Sequence, residues 1–105
     1  MLTMTVIAQV KPEKQQEFRD AISSLYNTRQ EEERGLMKST LYQEVDDPRG
    51  FRLITEWETQ KDLEGYLGAK KFRVLLGALE VLCAKSEIRY SHLTKKEAEV
   101  LKSNP

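Results

Sequence analysis

The feature that most constrains the fold of this chain is a pair of alternating segments joined by a short turn, read in order as LMKSTLYQEV, DDPRG and FRLITEWE at residues 36–58. Both outer segments alternate apolar and polar side chains with a period of two, which is typical of half-buried β-strands. The five residues between them combine aspartate, proline and glycine, the usual chemistry of turns. Two strands joined by five turn residues predict an antiparallel hairpin.

Further strands and helices are predicted on both sides of this hairpin. Residues 2–10 alternate as a strand, and apolar residues after Pro12 recur at helical spacing until Gly35 provides a stop. Thr59 and Asp62 indicate a helix start. The predicted elements are strand 2–10, helix 12–34, strands 36–45 and 51–58, helices 60–67 and 69–83, strand 86–93 and a tail helix at 95–103. The helical stripes are Phe18, Ala21, Ile22, Leu25 and Tyr26, then Phe72, Leu75, Leu76, Leu79 and Leu82.

The order of these elements is β-α-β-β-α-β followed by a tail. It predicts a ferredoxin-like α+β domain at residues 1–94, with a four-stranded antiparallel sheet and helices on one face. Residues 95–105 are predicted to be a separate C-terminal tail. We expect the uncovered face of the sheet to carry an apolar row such as Phe51, Leu53 and Trp57. An apolar face of that kind favours a homodimer formed through the sheet.

Charge and composition exclude several classes of function. The chain has 105 residues, enough for one domain, and 17 basic residues balance 17 acidic ones. A net charge of zero argues against nucleic-acid binding, which depends on basic residues that release counterions. No apolar run approaches the length of a membrane helix, and no signal peptide is evident, so a cytoplasmic protein is expected. One histidine and one cysteine cannot form a usual zinc site, so no metal is predicted.

The start of the third strand shares three residues with an RNA-binding motif. Arg49, Gly50 and Phe51 fit the opening of the K/R-G-F/Y-G/A-F-V-x-F/Y box. The match then fails, because Leu53 and Glu56 stand where the motif requires stacking aromatic residues. We therefore predict that this strand does not bind RNA.

A longer segment, DDPRGFRLITEWETQKDLEGYLGAKKF at residues 46–72, resembles the antibiotic biosynthesis monooxygenase family. The resemblance extends over residues 2–93 and includes VIAQVKPEKQQEF and EERG. The matching residues of the longer segment are Asp46, Asp47, Pro48, Phe51, Glu56, Trp57, Leu63, Leu67 and Phe72. The resemblance implies a dimeric α+β barrel and an oxygenation that uses no cofactor. The expected ligand is a small aromatic or quinol-like compound, whose anion reacts with oxygen in an apolar pocket.

One position of the short helix departs from the family pattern. The family usually carries histidine where this chain has Tyr66, before Leu67. A tyrosine with an ordinary pKa near 10 is a poor base at neutral pH. The haem-degrading branch of the superfamily is disfavoured too, because Leu76 stands where that branch has its haem-ligating histidine and leucine cannot bind iron.

The candidate catalytic residues are His92 and Tyr66. His92 is the only histidine and is expected to share a face of the last strand with Ile88 and Tyr90. The candidate substrate-binding residues are Trp57, Tyr42, Phe51 and Leu53. Four of these six also have an ordinary structural explanation: Trp57 as a core or interface residue, Tyr66 and Tyr42 as surface or interface residues, and His92 as a packed or edge residue.

Two functions therefore remain open on the sequence. One is a cofactor-independent monooxygenase, and the other is a non-catalytic dimer that binds a small ligand or serves in a stress response. Cys83, beside the leucine stripe, is expected to be a buried and inert thiol. A completely filled interior between sheet and helices would argue against both functions.

Overall fold

The computed structural model describes residues 2–26 and 34–92, and it arranges them as a sheet covered by helices on one face. The strands are β1 (Leu2–Val10), β2 (Leu36–Gln43), β3 (Gly50–Trp57) and β4 (Cys83–His92). The helices are α1 (Gln15–Tyr26), α2 (Gln60–Leu67) and α3 (Lys70–Leu82). The sheet order is β2-β3-β1-β4, and every neighbouring pair is antiparallel. The predicted ferredoxin-like α+β fold is therefore confirmed.

The hairpin predicted at residues 36–58 forms between β2 and β3. Leu41 lies opposite Leu53, and the ladder continues to Gln43 opposite Phe51. In the turn, Asp47 accepts hydrogen bonds from the backbone N–H of Arg49 at 3.0 Å and from Gln9 Nε2 at 2.9 Å. The Arg49 N–H and the Gln9 amide hold the pKa of Asp47 below its usual value. This carboxylate thereby links the turn to the neighbouring strand β1.

Several predicted boundaries are corrected. Pro12 lies in a turn before α1, where Lys14 N donates to Lys11 O at 3.0 Å, and the helix starts only at Gln15. Strand β4 begins at Cys83, directly after α3, because the backbone of Cys83 is already extended. The predicted C-terminal end of the first helix lies outside the described residues, and so does the whole of the predicted tail helix.

The core lies between the sheet and the helices. Strand β1 alternates without exception, so that Leu2, Met4, Val6, Ala8 and Val10 are buried. On α3 the predicted stripe is buried except for Leu76, which is 42% exposed because its position is turned away from the sheet. The side chains that alternate with this buried row point to the face of the sheet that the helices do not cover.

The expected position of the apolar row on β3 was wrong. Phe51, Leu53 and Trp57 are at most 2% exposed and lie beneath the helices rather than on the uncovered face. The register explains this outcome, since these residues pair with the buried row of β1: Trp57 lies opposite Leu2, and Leu53 lies opposite Val6. A one-residue shift would reverse the faces, so the two buried rows fix the register together.

The connection into β2 depends on Gly35. Its φ of +81° lies in the left-handed region, and its carbonyl accepts a hydrogen bond from Glu58 N at 2.8 Å. A Cβ atom at this position would lie 2.3 Å from Cγ of Asp62. Asp62 is itself held at the start of α2, where its N–H donates to Thr59 Oγ1 at 3.1 Å. Both backbone conformation and space therefore favour glycine here.

We expect Gly35→Ala to lower the free energy of unfolding by about 2–3 kcal/mol, because the left-handed conformation and the contact with Asp62 both penalise a Cβ atom. Gly77→Ala is the matched control. Gly77 is exposed within α3, and a Cβ atom there would meet nothing within 4 Å. The Gly77→Ala substitution should raise the free energy of unfolding by about 0.5–1 kcal/mol, because alanine has a higher helix propensity than glycine. Urea denaturation measures both, and equal effects of the two substitutions would contradict this account.

Candidate functional site

An aromatic cluster fills the interior between α2, α3 and the end of β3. The ring centroids of Trp57 and Tyr66 are 4.9 Å apart, and those of Tyr66 and Phe72 are 5.5 Å apart. Trp57 Nε1 donates to Thr55 Oγ1 at 2.9 Å, and that hydroxyl donates to Met4 O at 3.3 Å. The indole N–H therefore has a partner inside the core, and this region is closely packed.

Tyr66, the residue at the family's histidine position, belongs to this packed interior. It is only 3% exposed, and its hydroxyl forms a hydrogen bond with the hydroxyl of Tyr26 at the end of α1. Trp57 and Phe72 contact its ring from other directions. The structure therefore brings Tyr66 and Trp57, two of the candidate site residues, together in a core in which Tyr66 is already hydrogen-bonded.

A pocket of about 320 Å³ opens beside this core, between α2 and the end of β4. Its described lining residues are Leu2, Gln60, Leu63, Glu64, Leu67, Tyr90, Ser91 and His92. The leucines make an apolar floor, and the polar residues come from α2 on one side and β4 on the other. This combination of apolar surface with a few polar groups is typical of small-molecule sites.

His92 reaches this pocket because of the sheet register. Met4 lies opposite Tyr90 and Leu2 lies opposite His92, so both β4 residues point to the helix side of the sheet. Leu2 also lies opposite Trp57 on its other neighbour, which places His92 and Trp57 two strands apart. Neighbouring antiparallel strands are about 5 Å apart, so roughly 10 Å separates these backbones. The predicted face shared by Ile88, Tyr90 and His92 is thus found.

The other predicted substrate-binding residues lie away from this pocket. Phe51 packs on Phe18 with ring centroids 5.0 Å apart. Leu53 lines a smaller cavity of about 90 Å³ beneath α1, together with Tyr26. Tyr42 lies opposite Arg52 on the uncovered face of the sheet, where it is 51% exposed. Of the six candidates, only His92 lines the pocket between α2 and β4.

Sequence reasoning missed most residues of this pocket. Leu63 and Leu67 are separated by one helical turn, and Gln60 and Glu64 have the same spacing on the same short helix. The helical period could have placed both pairs on α2, but it could not show that β4 lies beside them. Leu2 was predicted only as part of the strand at residues 2–10.

The uncovered face of the sheet carries a mixture of apolar and charged side chains. Ile7 and Ile54 are half-buried near its centre. On β4, Arg89 Nε lies 2.8 Å from Glu87 Oε1, and the hydrogen bond from Arg89 holds the pKa of Glu87 below its usual value. A second pocket, of about 300 Å³, lies on this side near the hairpin. Its described lining residues are Ile7, Ala8, Gln9, Glu44, Gly50, Lys85, Ser86 and Glu87.

Within residues 2–26 and 34–92, no group of three or more His, Cys, Asp or Glu side chains has the arrangement of a metal site. In the same part of the chain, no helix is long and apolar enough to span a membrane. Cys83 is buried as expected at the junction of α3 and β4. Burial raises the pKa of its thiol to about 11, and the positive charge of Lys11 offsets only part of that effect.

We expect Cys83 to react with a thiol reagent at pH 8 far more slowly in the native protein than in the urea-unfolded chain, because the reactive thiolate is scarce and shielded. The raised pKa also predicts a pH effect. Between pH 9.0, the ordinary thiol value, and pH about 11, the unfolded chain loses this proton more readily than the folded protein.

The stability conferred by Cys83 should therefore be complete below pH 9.0 and decline as the pH rises to about 11. Cys83→Ala is the control, since it retains every other titrating group. The difference in free energy of unfolding between the wild type and this variant should change over that interval. A difference that stays constant with pH would contradict the prediction.

The sheet and its helical cover define a ferredoxin-like α+β domain, with a pocket between α2 and the end of β4. The family model described as "Antibiotic biosynthesis monooxygenase" matches residues 1–76, and the chain belongs to that family. This membership supports a general monooxygenase-like role. The match ends within α3, before β4 and His92.

Solved structures share the fold. A conserved protein from Methanosarcina mazei Go1 is 26% identical, with a TM-score of 0.80 over 89% of this chain and 92% of the other. An antibiotic biosynthesis monooxygenase is 18% identical, with a TM-score of 0.76 over 90% and 99%. A protein from Mycobacterium tuberculosis is 12% identical, with a TM-score of 0.78 over 90% and 95%. No curated protein sequence gave a significant match.

Proposed function

We propose that this protein is a cofactor-independent monooxygenase that acts on a small phenol or quinol held between α2 and β4. The observation that carries the proposal is that His92 lines an apolar-floored pocket of about 320 Å³. This volume lies within the range of small-molecule sites, roughly 300–1,000 Å³. The resemblance to the monooxygenase family supplies the reaction class.

The proposed chemistry starts with proton transfer. An imidazole nitrogen of His92 takes the hydroxyl proton of the phenol, and the electron-rich ring carbon of the resulting anion bonds to O2. One oxygen atom stays on the ring and the other leaves as water. For a phenol the balance is one phenol and one O2 giving one quinone and one water, so the substrate supplies all four electrons. Leu2, Leu63 and Leu67 provide the apolar surface against which the ring would lie.

In this proposal Tyr66 and Trp57 support the pocket rather than touch the substrate. Both are buried, and Tyr66 lies one residue before Leu67, which lines the pocket. Their packing holds α2 against the end of the sheet. His92 lies on β4 and would act as the base in place of the histidine that the family usually carries on the short helix.

Oxygen uptake tests the proposal. The protein is incubated with a panel of phenols and quinols in a sealed electrode chamber, and quinone formation is followed by absorbance. We expect uptake above the buffer rate with at least one compound, at one O2 per quinone formed from a phenol. A protein that binds such compounds but never raises the uptake rate would argue against catalysis.

The second candidate function is a ligand-binding protein without catalysis. The packing of Tyr66 favours it, because the residue at the family's histidine position is buried and hydrogen-bonded to Tyr26. Saturable binding of an aromatic compound without any oxygen uptake would establish this function in place of the first.

We also propose that a second copy of the chain covers the uncovered face of the sheet. Ile7 and Ile54 lie near its centre on the two middle strands, and the charged residues Arg52, Glu56 and Glu87 lie beside them on the same face. An apolar centre with a polar rim is typical of protein interfaces. The apolar row of Phe51, Leu53 and Trp57 plays no part in this contact, because the helices already bury it.

Light scattering after gel filtration should give the mass of a dimer. Ile54→Glu should shift the protein toward the monomer, since a carboxylate at the centre of the interface would lose its water on association. Val45→Glu is the control, because Val45 is 98% exposed in the hairpin turn. A wild-type monomer mass at all concentrations tested would overturn this arrangement.

A further inference from the structure

The charge of the pocket between α2 and β4 indicates which aromatic compounds it accepts. We propose that this pocket selects a small aromatic ligand carrying a positively charged substituent and discriminates against one carrying a carboxylate. The inference rests on the proposed function only in using the same pocket. It can fail while that pocket remains a ligand site.

Glu64 is the only Asp, Glu, Lys or Arg among the described residues that line the pocket. Its Oε1 accepts a hydrogen bond from Gln60 Nε2 at 3.2 Å, one turn earlier on α2. Both residues line the pocket, so this hydrogen bond holds the carboxylate beside a second lining residue of α2. An anionic ligand would meet this charge, and a cationic one would be attracted by it.

Tyr90 adds a second attraction for a cation. It lies on the helix side of β4, opposite Met4, and is 52% exposed at the pocket. The face of a tyrosine ring attracts an ammonium group, by about 0.5–1 kcal/mol at exposed sites. The carboxylate and the ring come from the two elements that flank the pocket, α2 and β4.

The basic residue next to Tyr90 does not offset these groups. Arg89 points to the opposite face of the sheet, since it pairs with Thr5 in the row that faces away from the helices. There its Nε lies 2.8 Å from Glu87 Oε1. On α2, Lys61 is exposed and is not one of the described lining residues. The apolar floor accepts the ring of either ligand, so the substituent decides the preference.

The experiment measures binding of three redox-inert ligands with the same ring: 2-naphthylmethylammonium, 2-naphthylmethanol and 2-naphthoate. Because none of them is a phenol or quinol, affinity is measured without any oxygenation. We expect the cation to bind about tenfold more tightly than the anion at low salt, with the neutral alcohol between them. The ratio should shrink toward one in 1 M salt, where charges are screened.

Glu64→Gln should reduce the ratio to about twofold, and Glu64→Lys should reverse the preference. Asp20→Asn is the matched control, because Asp20 accepts a hydrogen bond from Gln16, one turn earlier on α1, at 2.9 Å. That control should keep the tenfold ratio. Circular dichroism checks that each variant is folded, and chemical-shift changes at Leu63 and Leu67 locate the ligand.

Three outcomes would overturn the inference. Binding of all three ligands with equal affinity would remove the charge preference and leave the pocket as a ligand site. A tenfold preference for the cation that persists in Glu64→Gln would show that the Glu64 carboxylate is not its cause. Failure of all three to bind would overturn both the preference and the pocket on which the proposed function depends.

Discussion

Replacing His92 by glutamine is expected to lower the rate of enzymatic oxygen uptake by about 100-fold or more, the usual contribution of a general base. Glutamine retains the size and hydrogen-bonding capacity of the side chain but cannot take up a proton near neutral pH. Because His92 is exposed at the edge of the pocket, the substitution should leave the fold and the apolar floor intact. Affinity for an inert aromatic ligand should change little.

Oxygen uptake and binding of 2-naphthylmethanol are measured on the same preparations. His92→Ala is the companion variant, which removes the hydrogen bonding as well as the base. If His92 acts as the base, both variants lose activity. Full activity of His92→Gln with loss in His92→Ala would assign His92 a hydrogen-bonding role, and full activity in both would exclude it from the reaction.

Replacing Trp57 by alanine is expected to lower the free energy of unfolding by about 3–5 kcal/mol. Trp57 is 0% exposed, contacts Tyr66 and donates its indole N–H to Thr55. The substitution leaves a large cavity at the junction of α2 and the sheet. A loss of this size corresponds to a fall of about 15–20 °C in Tm for a domain of this length.

Urea and thermal denaturation at a fixed protein concentration measure the effect, since association can itself stabilise the fold. Trp57→Phe should have a smaller effect, because it preserves an aromatic ring but removes the hydrogen bond to Thr55. Val45→Ala is the surface control, at a position that is 98% exposed. A change below 1 kcal/mol in Trp57→Ala would show that the aromatic cluster does not support the domain.

The hairpin shows why much of this fold could be predicted from the sequence. Strand period, turn residues and the start signal at Thr59 are local patterns, and the structure reproduces each of them. The boundaries were less predictable. The helical spacing predicted that Cys83 ends α3. In the structure its backbone is extended and it begins β4, because it pairs with Val10 of β1.

Less of the candidate site than of the fold could be predicted from the sequence. Tyr66 and Trp57 lie near one another in the structure, and their burial depends on how α2 packs on the sheet. Tyr42 and Trp57 come from adjacent strands of one hairpin and yet lie on opposite faces. Tyr42 pairs with Arg52, which alternates with Trp57 along β3, so the hairpin register alone puts their side chains on opposite faces.

The sequence by itself determined the strand and helix order, the hairpin and the family, because these depend on local periodicity and on residues matched along one segment. The tertiary structure decided which row of β3 is buried and which candidate reaches a pocket. His92 lies beside α2 because Leu2 pairs with it across the sheet, a contact between the two ends of the described chain. Long-range pairing of this kind has no local signal, and it places the histidine at the proposed site.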